Sequence, residues 1–330
     1  MLKRLKWLQW SKSNLEKDLG GVEEHARCVA RELRRLGIEA HFSSDPAELR
    51  NSKWDVIHTH GGTVAAAKTG AIHVHTLHGT TLGRMAACGE WLWPGGYLAA
   101  AREFYAVLRA DLILSVHPKF SLYRFSQKIG KPSALCGNGW DSGDGPTPEL
   151  PESVREGLDS TRPLWLYVGR GDDTVKGADR VRETLRQAKN LQLMAVPGTG
   201  FESEADVFKT GRLSASEVRC LFERADGLLA PSRYEGNSLV VLEALAAGIS
   251  VISTSVGAAP FFPVGILGLQ VVPSAEPREI AAAILAGDRA NPRIERARRA
   301  SVNRSLLPTW GSVVSIAVDA VERVRKSRLP

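Results

Sequence analysis

Gly227–Thr254 reads GLLAPSRYEGNSLVVLEALAAGISVIST, a complete strand–helix–strand unit. The apolar opening, GLLAPS, predicts a buried strand, and RYEGN predicts an open turn. SLVVLEALAAG predicts a helix with Ser238 as its cap and Gly248 as its stop, and ISVIST predicts a second buried strand. Two apolar strands joined by a helix lie parallel in one sheet, covered on both faces. Glu235 falls on the turn and Glu243 about one turn into the helix. An acid flanked by Leu242, Ala244 and Leu245 is costly unless it has a partner. Two carboxylates beside the free N–H groups of a helix start suit a hydroxyl-rich or anionic ligand. The plainer alternative is a solvated Glu243 and a Glu235 that only favours the helix dipole.

The same alternation runs outward in both directions. PLWLYVGR and LQLMAVPG are strands, ADRVRETLRQA is a helix, and SASEVRCLFERA is a helix with Ser214 and Glu217 at capping-box spacing. In the first half, LKWLQW, IEAHFS, DVIHTH, AIHVHTLHG and DLILSVH are strand candidates. GGVEEHARCVARELRRLG is a helix with Val22, Ala26, Val29, Ala30, Leu33 and Leu36 at helical spacing, and YLAAAREFYAVLRA is another. Regular alternation predicts an α/β protein of two doubly wound, Rossmann-like domains facing a cleft. NGWDSGDGPTPELPES has the composition of a linker and sets the boundary near residue 145, giving domains at 1–145 and 146–309.

The chain has 330 residues, a formal net charge of +7 and four cysteines without CxxC spacing. The charge favours a polyanionic partner. The sparse cysteines predict a reducing, cytoplasmic setting. No apolar run is long enough for a spanning helix, and MLKRLKWLQW lacks a signal-peptide core. Its bases, with Arg31, Arg34 and Arg35, point either to peripheral contact with an anionic membrane or to a solvated basic face. Arg293, Arg296, Arg298 and Arg299 are read as an exposed helix face. No nucleic-acid-reading motif is present, so nucleic acid is not expected as a partner.

Further clusters carry chemistry. In YVGRGDDTVKG, Arg170 and Lys176 stand on one strand-to-helix loop and suit a diphosphate, the alternative being a solvated turn. Asp172 and Asp173 resemble a metal-binding pair only in composition. Gly20 and Gly21 open a helix where backbone can approach a phosphate or sugar. His58, His60, His73 and His75 form two His-x-His pairs, each on one sheet face, open to a zinc site or to buried structural roles. His78 ends a strand and faces the expected cleft. We expect no metal and no cofactor.

Taken together, GGVEEHARCVARELRRLG, TLHGT, GNGWD, VGRGDDTVKG, the E-x7-E element with EALAAG, and TWGSVVSIAVDAVERV resemble the retaining GT-B-fold glycosyltransferases of family four (glycosyl transferases group 1). The resemblance implies a terminal helix, within 310–330, that crosses back to the first domain. It implies transfer of a hexose from a UDP- or GDP-sugar to a hydroxyl of a glycan, glycolipid or small-molecule acceptor, with retention and without metal. Cell-surface polysaccharide or lipopolysaccharide synthesis at the inner face of the membrane would follow. By the same resemblance Glu243 would bind ribose hydroxyls. Glu235 would hold the transferred sugar with Gly236, Asn237, Ser238 and Leu239. Arg170 and Lys176 would neutralise the diphosphate, and His78 would contact the sugar. Gly211, Arg212 and Leu213 would frame the base, and Gly20 and Gly21 would approach the phosphates or acceptor. Asn237-Ser238 replaces the usual Phe-Gly, PFFPVG lacks a further glutamate common in the family, and the first domain is shorter than is typical. A nucleotide-sugar epimerase on the same fold is the alternative.

Overall fold

The computed structural model describes residues 5–14, 20–61, 69–140, 150, 152, 154, 162–188, 191–204, 206–273, 276–286 and 292–328. The chain divides into two compact units, Met1–Gly139 with Pro308–Pro330, and Trp140–Leu307. The boundary expected near residue 145 falls among residues 141–149, outside the described residues.

The first unit contains β1 (Lys6–Trp10), α1 (Gly21–Arg35), β2 (Glu39–Ser43), β3 (Val56–His60), β4 (Ile72–Leu77), α2 (Thr81–Cys88), α3 (Pro94–Arg109), β5 (Leu112–Ser115), α4 (Ser121–Lys128) and β6 (Ser133–Leu135). Its six strands are all parallel, in the order β2-β1-β3-β4-β5-β6. The terminal helix Trp310–Ser327 packs on α1 and on β4, β5 and β6 of this unit. It buries Trp310, Val313, Val314, Ala317, Val318 and Val321, an apolar stripe at helical spacing. α1 buries Ala26, Val29, Ala30 and Leu33 as its spacing predicts. Leu36, expected inside, is half exposed, because the helix ends at Arg35 and Gly37 turns the chain away. His25 and Cys28 take up the buried face instead.

The second unit contains β7 (Leu164–Gly169), β8 (Gln192–Pro197), β9 (Val207–Lys209), β10 (Gly227–Ala230), β11 (Ser250–Thr254) and β12 (Leu269–Val272). These also form one parallel sheet, in the order β12-β11-β10-β7-β8-β9. Alternation along β7 sends Leu164 and Leu166 into one apolar core and Trp165 and Tyr167 into another, so the sheet is covered on both faces. Helices Ala178–Gln187, Ala215–Phe222, Leu239–Ala246, Pro277–Ala286 and Pro292–Leu306 accompany it.

The last of these carries the arginine run read from sequence as an exposed face, and the structure corrects that reading. Arg296 donates to the carbonyls of Phe222, Glu223 and Ala225 at 3.2, 2.6 and 2.5 Å, satisfying the open end of the helix before β10. Arg299 donates to Ser250 Oγ at 2.9 Å, while Arg298 pairs with Glu295 at 2.8 Å. Arg296 and Arg299 hold that helix to the unit, Arg298 stays exposed as read, and the Arg293 side chain lies outside the described residues. Among the described residues, no helix is long and apolar enough to cross a membrane.

Candidate active site

Strands of a parallel sheet all end on one edge, and ligands bind where the strand order reverses. In the second sheet that point lies between β7 and β10. The loops leaving it, 170–177 and 231–238, are the two singled out from sequence. Arg233 joins them: its N–H donates to Val175 O at 2.8 Å, and its guanidinium holds both Asp179 oxygens at 2.6 Å. Arg180 donates to Pro231 O at 2.9 Å. Gly177 has φ +79°, and a Cβ there would overlap the Pro231 carbonyl oxygen. Only glycine lets the loops touch at this point.

This stitching brings Lys176 and Glu235 together as an ion pair. Ser232 Oγ also donates to Glu235 Oε1, at 3.3 Å. Burial acts against the Lys176 ammonium, but Glu235 and then Asp173 outweigh it and raise its pKa. The lysine is therefore a lasting cation at neutral pH. Arg170, the other base of the loop, is exposed and pairs with Asp172 at 3.2 Å. The two bases thus hold separate carboxylates. Asp173 caps the Lys176 N–H at 3.0 Å, which explains the acidic pair structurally.

Glu243 meets Arg219 Nη1 at 3.5 Å with its side chain mostly buried. This is the partner an acid in an apolar helix requires. Arg219 lies on helix Ala215–Phe222 and was not distinguishable in sequence from other surface arginines. Ser214 and Glu217 form the capping box at the start of that helix, and hydrogen bonds from the Ser214 backbone and side chain lower the Glu217 pKa. Just before them, Gly211 and Arg212 are exposed and Leu213 is buried. Ser238 occupies the cap position of helix Leu239–Ala246, but its side chain makes no capping bond there, contrary to the sequence expectation. A small hollow of about 10 Å³ is lined by Ser232, Glu235, Ser238, Val241, Ser253 and Phe262. It is far smaller than pockets that enclose whole ligands, which run about 300–1,000 Å³.

In the first sheet the order reverses between β1 and β3. There the histidines separate by face. The register sets His58 opposite Val74 and Thr59 opposite His75, so His58 and His60 share one face while His73 and His75 occupy the other. A zinc site made of all four strand histidines is therefore ruled out by the pleat. Thr59 Oγ1 serves both His73 Nε2 and His75 Nδ1, at 3.0 and 2.8 Å.

On the opposite face a different set gathers. His60 Nε2 lies 2.5 Å from Gln9 Oε1, across the reversal point, and His60 Nδ1 lies 3.1 Å from His78 Nε2. With the Gln9 oxygen facing it, His60 donates from Nε2 and accepts at Nδ1, so His78 donates from Nε2. His25, on α1, donates from Nδ1 to Asn138 Oδ1 at 2.7 Å and stands edge-on to His78 and to Trp310. Burial lowers the pKa of His25 to about 4 and that of His78 well below its usual value, so both are neutral imidazoles at neutral pH. Ligand atoms of His25, His60 and His78 lie within 4.8 Å of one another and could hold a metal ion. Their nitrogens are already largely engaged with Gln9, Asn138 and each other. His25, Gln9 and Asn138 escaped sequence reasoning; the only signal was polar residues at apolar-periodic positions.

Gly20 and Gly21 begin α1. No described atom lies within 4 Å of where a Gly21 Cβ would sit, so packing within the unit does not demand glycine. Glu23 and Glu24 in the first turn already answer the positive pole of the helix.

Known proteins share the fold. The chain is 25% identical over 283 residues to glycogen synthase of Mycobacterium tuberculosis, which covers 76% of this chain. The chain spans 60% of the length of the curated relatives it matches. Sucrose-phosphate synthase from Thermosynechococcus elongatus superposes with a TM-score of 0.76 at 16% identity, covering 98% of this chain and 100% of its own. Anabaena Alr3699/HepE in complex with UDP and glucose superposes with a TM-score of 0.63 at 15% identity, with the same coverage. The fold is the GT-B fold of two parallel six-stranded sheets, and residues 162–286, which hold Lys176, Glu235 and Glu243, match the family described as Glycosyl transferases group 1.

Proposed function

We propose that the protein is a glycosyltransferase that moves a hexose from a UDP- or GDP-sugar to an acceptor hydroxyl, with retention and without a metal. The observation that carries the reading is the Lys176–Glu235 pair, held by two stitched loops at the reversal point of a sheet within the matching segment. As the glycosidic bond loosens, negative charge gathers on the departing diphosphate. Lys176, with Arg170 swinging from Asp172 and the N–H groups that open helix Leu239–Ala246, would stabilise that charge. Glu235, released from the lysine, would accept hydrogen bonds from sugar hydroxyls, and Glu243 from the ribose. We assign the transferred sugar to His78 as well, as a neutral hydrogen-bonding group. Gly211–Leu213 would border the base, and Gly20 and Gly21 the acceptor. The acceptor class is a glycan or glycolipid of the cell surface, met from the cytoplasm at the inner face of the membrane.

The test incubates the protein with a panel of UDP-, GDP- and ADP-sugars, with and without glycan and glycolipid acceptors. Anomeric configuration of the product is read by NMR, and reactions are repeated in EDTA. A retained product that needs acceptor and persists in EDTA supports the reading. Epimerised donor without acceptor would transfer the assignment to an epimerase. Loss in EDTA would give the diphosphate to a metal instead of Lys176.

A further inference from the structure

We infer that the outer face of α3 and the loop before it form a docking surface for an anionic membrane. α3 turns Gly96, Glu103, Ala106 and Val107 inward and presents Leu98, Tyr105 and Leu108 outward, a stripe at helical spacing on the solvent side. Leu98 is 55% and Tyr105 56% exposed. The stripe continues into the loop, where Trp91 is 51% and Leu92 97% exposed. Large apolar side chains exposed together on one helix and the loop before it mark an interaction site. Two aromatic rings beside a fully exposed leucine match the composition of segments that settle at the headgroup boundary.

The charges around the face select the occupant. Between Thr81 and Lys128 there are three acids, and each is engaged. Glu90 pairs with Arg84 at 2.8 Å, Glu103 takes hydrogen bonds from Thr81, and Asp111 pairs with Arg328 at 2.6 Å. Arg102 and Arg109 flank the apolar stripe of α3, and Arg124 lies on α4 beside it. None of the three makes an ion pair among the described residues. An apolar face rimmed by unpaired bases complements anionic lipid. Against a second copy related by a two-fold axis the same bases would meet each other. The arginines of α1, by contrast, are committed. Arg34 donates to Ala40 O at 2.7 Å, and Arg31 and Arg35 pair with Glu32 at 3.4 and 2.5 Å. The exposed apolar stripe lies on α3, so the contact is assigned there.

This inference deepens the membrane placement proposed above and is independent of sugar transfer. The full chain is sedimented with phosphatidylcholine vesicles and with phosphatidylcholine–phosphatidylglycerol vesicles, at low and high salt. Trp91 and Trp93 are read by quenching with brominated lipid. Binding to the anionic vesicles, weakened by salt, is expected. It should fall by about tenfold or more in Leu92→Glu/Leu98→Glu, and to a lesser degree in Arg102→Gln/Arg109→Gln. Melting temperature and nucleotide affinity, measured on the same samples, should be unchanged in these variants. Vesicle binding without any sugar transfer would sink the transferase reading alone. No binding by the wild type, or binding indifferent to both double variants, would overturn the surface. A dimer that the leucine variants dissociate, without lipid binding, would give the face to a second copy.

Discussion

Lys176 and Glu243 are both ion-paired, yet their pairs have different consequences. Lys176 stands on a loop beside a carboxylate that a ligand can displace, whereas Glu243 is fixed in a helix against Arg219. Removing Lys176 leaves the Glu235 carboxylate without its cation and, in the proposed role, takes from a bound diphosphate its main charge partner. Lys176→Ala is therefore expected to lower kcat by about a hundredfold or more while the melting temperature shifts little; near-wild-type kcat would remove the lysine from the mechanism. Glu243→Ala is expected to weaken nucleotide binding by roughly tenfold, the loss of the two ribose hydroxyl contacts proposed for its carboxylate. Calorimetry on the nucleotide alone decides it, and wild-type affinity would show that Glu243 is there only to pair with Arg219. These acids and bases were legible in the sequence because each sits where a strand gives way to a helix, and because an acid inside LVVLEALA needs a reason. Arg219, Gln9, His25 and Asn138 were not legible. Each is a common polar residue whose role appears only when elements far apart in the chain are packed together.

Elements with strong periodicity or a continuous apolar run were mostly readable, and several short ones were not. The strand–helix–strand unit of residues 227–254 and α1 follow their patterns because long apolar stripes leave one way to bury them. α2, α4, β6, β9, β12 and helix Pro277–Ala286 went unseen. Each has ten residues or fewer, and each is held by its neighbours rather than by its own propensity. Gly248 shows how an element's end can be specified. It closes helix Leu239–Ala246 with φ +78°, and a Cβ there would overlap the Arg296 carbonyl oxygen and crowd the Ala300 N–H. Both contacts are backbone and belong to the helix whose arginines secure it, so neither can move alone. Gly248→Ala is expected to cost about 2–4 kcal/mol of stability in urea unfolding. Gly211→Ala, at φ +72° with no atom within 4 Å, should cost only about 1 kcal/mol, the left-handed penalty by itself. Equal costs at the two positions would mean that the helix of residues 292–306 is not held where Gly248 requires it.

Across the whole chain, ionisable groups are divided unevenly, and acid should act on one unit first. All eight histidines lie between His25 and His117, so the unit Trp140–Leu307 contains none. Burial lowers the pKa of His25 and His73 to about 4 and of His75 to about 3, from an ordinary 6.5, and drives His58, His60 and His78 lower than usual as well. The folded first unit therefore prefers neutral imidazoles, and the unfolded chain binds protons more readily as pH drops below 6.5. The stability these groups contribute is complete above pH 6.5 and is lost as pH falls through the folded values. Near pH 5 the loss is on the order of 1–2 kcal/mol for each such histidine. In the second unit the groups with lowered pKa are carboxylates, such as Asp179, held by its hydrogen bond to Arg233, and Glu295, which Arg298 and Arg299 lower to about 2. Their ordinary values are 3.8 and 4.5, so they stay charged in both states until the pH falls further. Hydrogen exchange read by mass spectrometry at stepwise lower pH, corrected for the intrinsic rate, should show protection lost first in β1, β3, β4 and α1. Protection in β7, β10 and β11 should persist. Lys176-dependent nucleotide binding should survive the same step, because that loop belongs to the unit without histidine. Simultaneous loss in both sheets between about pH 6.5 and 4.5 would mean that the two units unfold together, and protection retained in both would mean that the histidines are not buried as neutral groups.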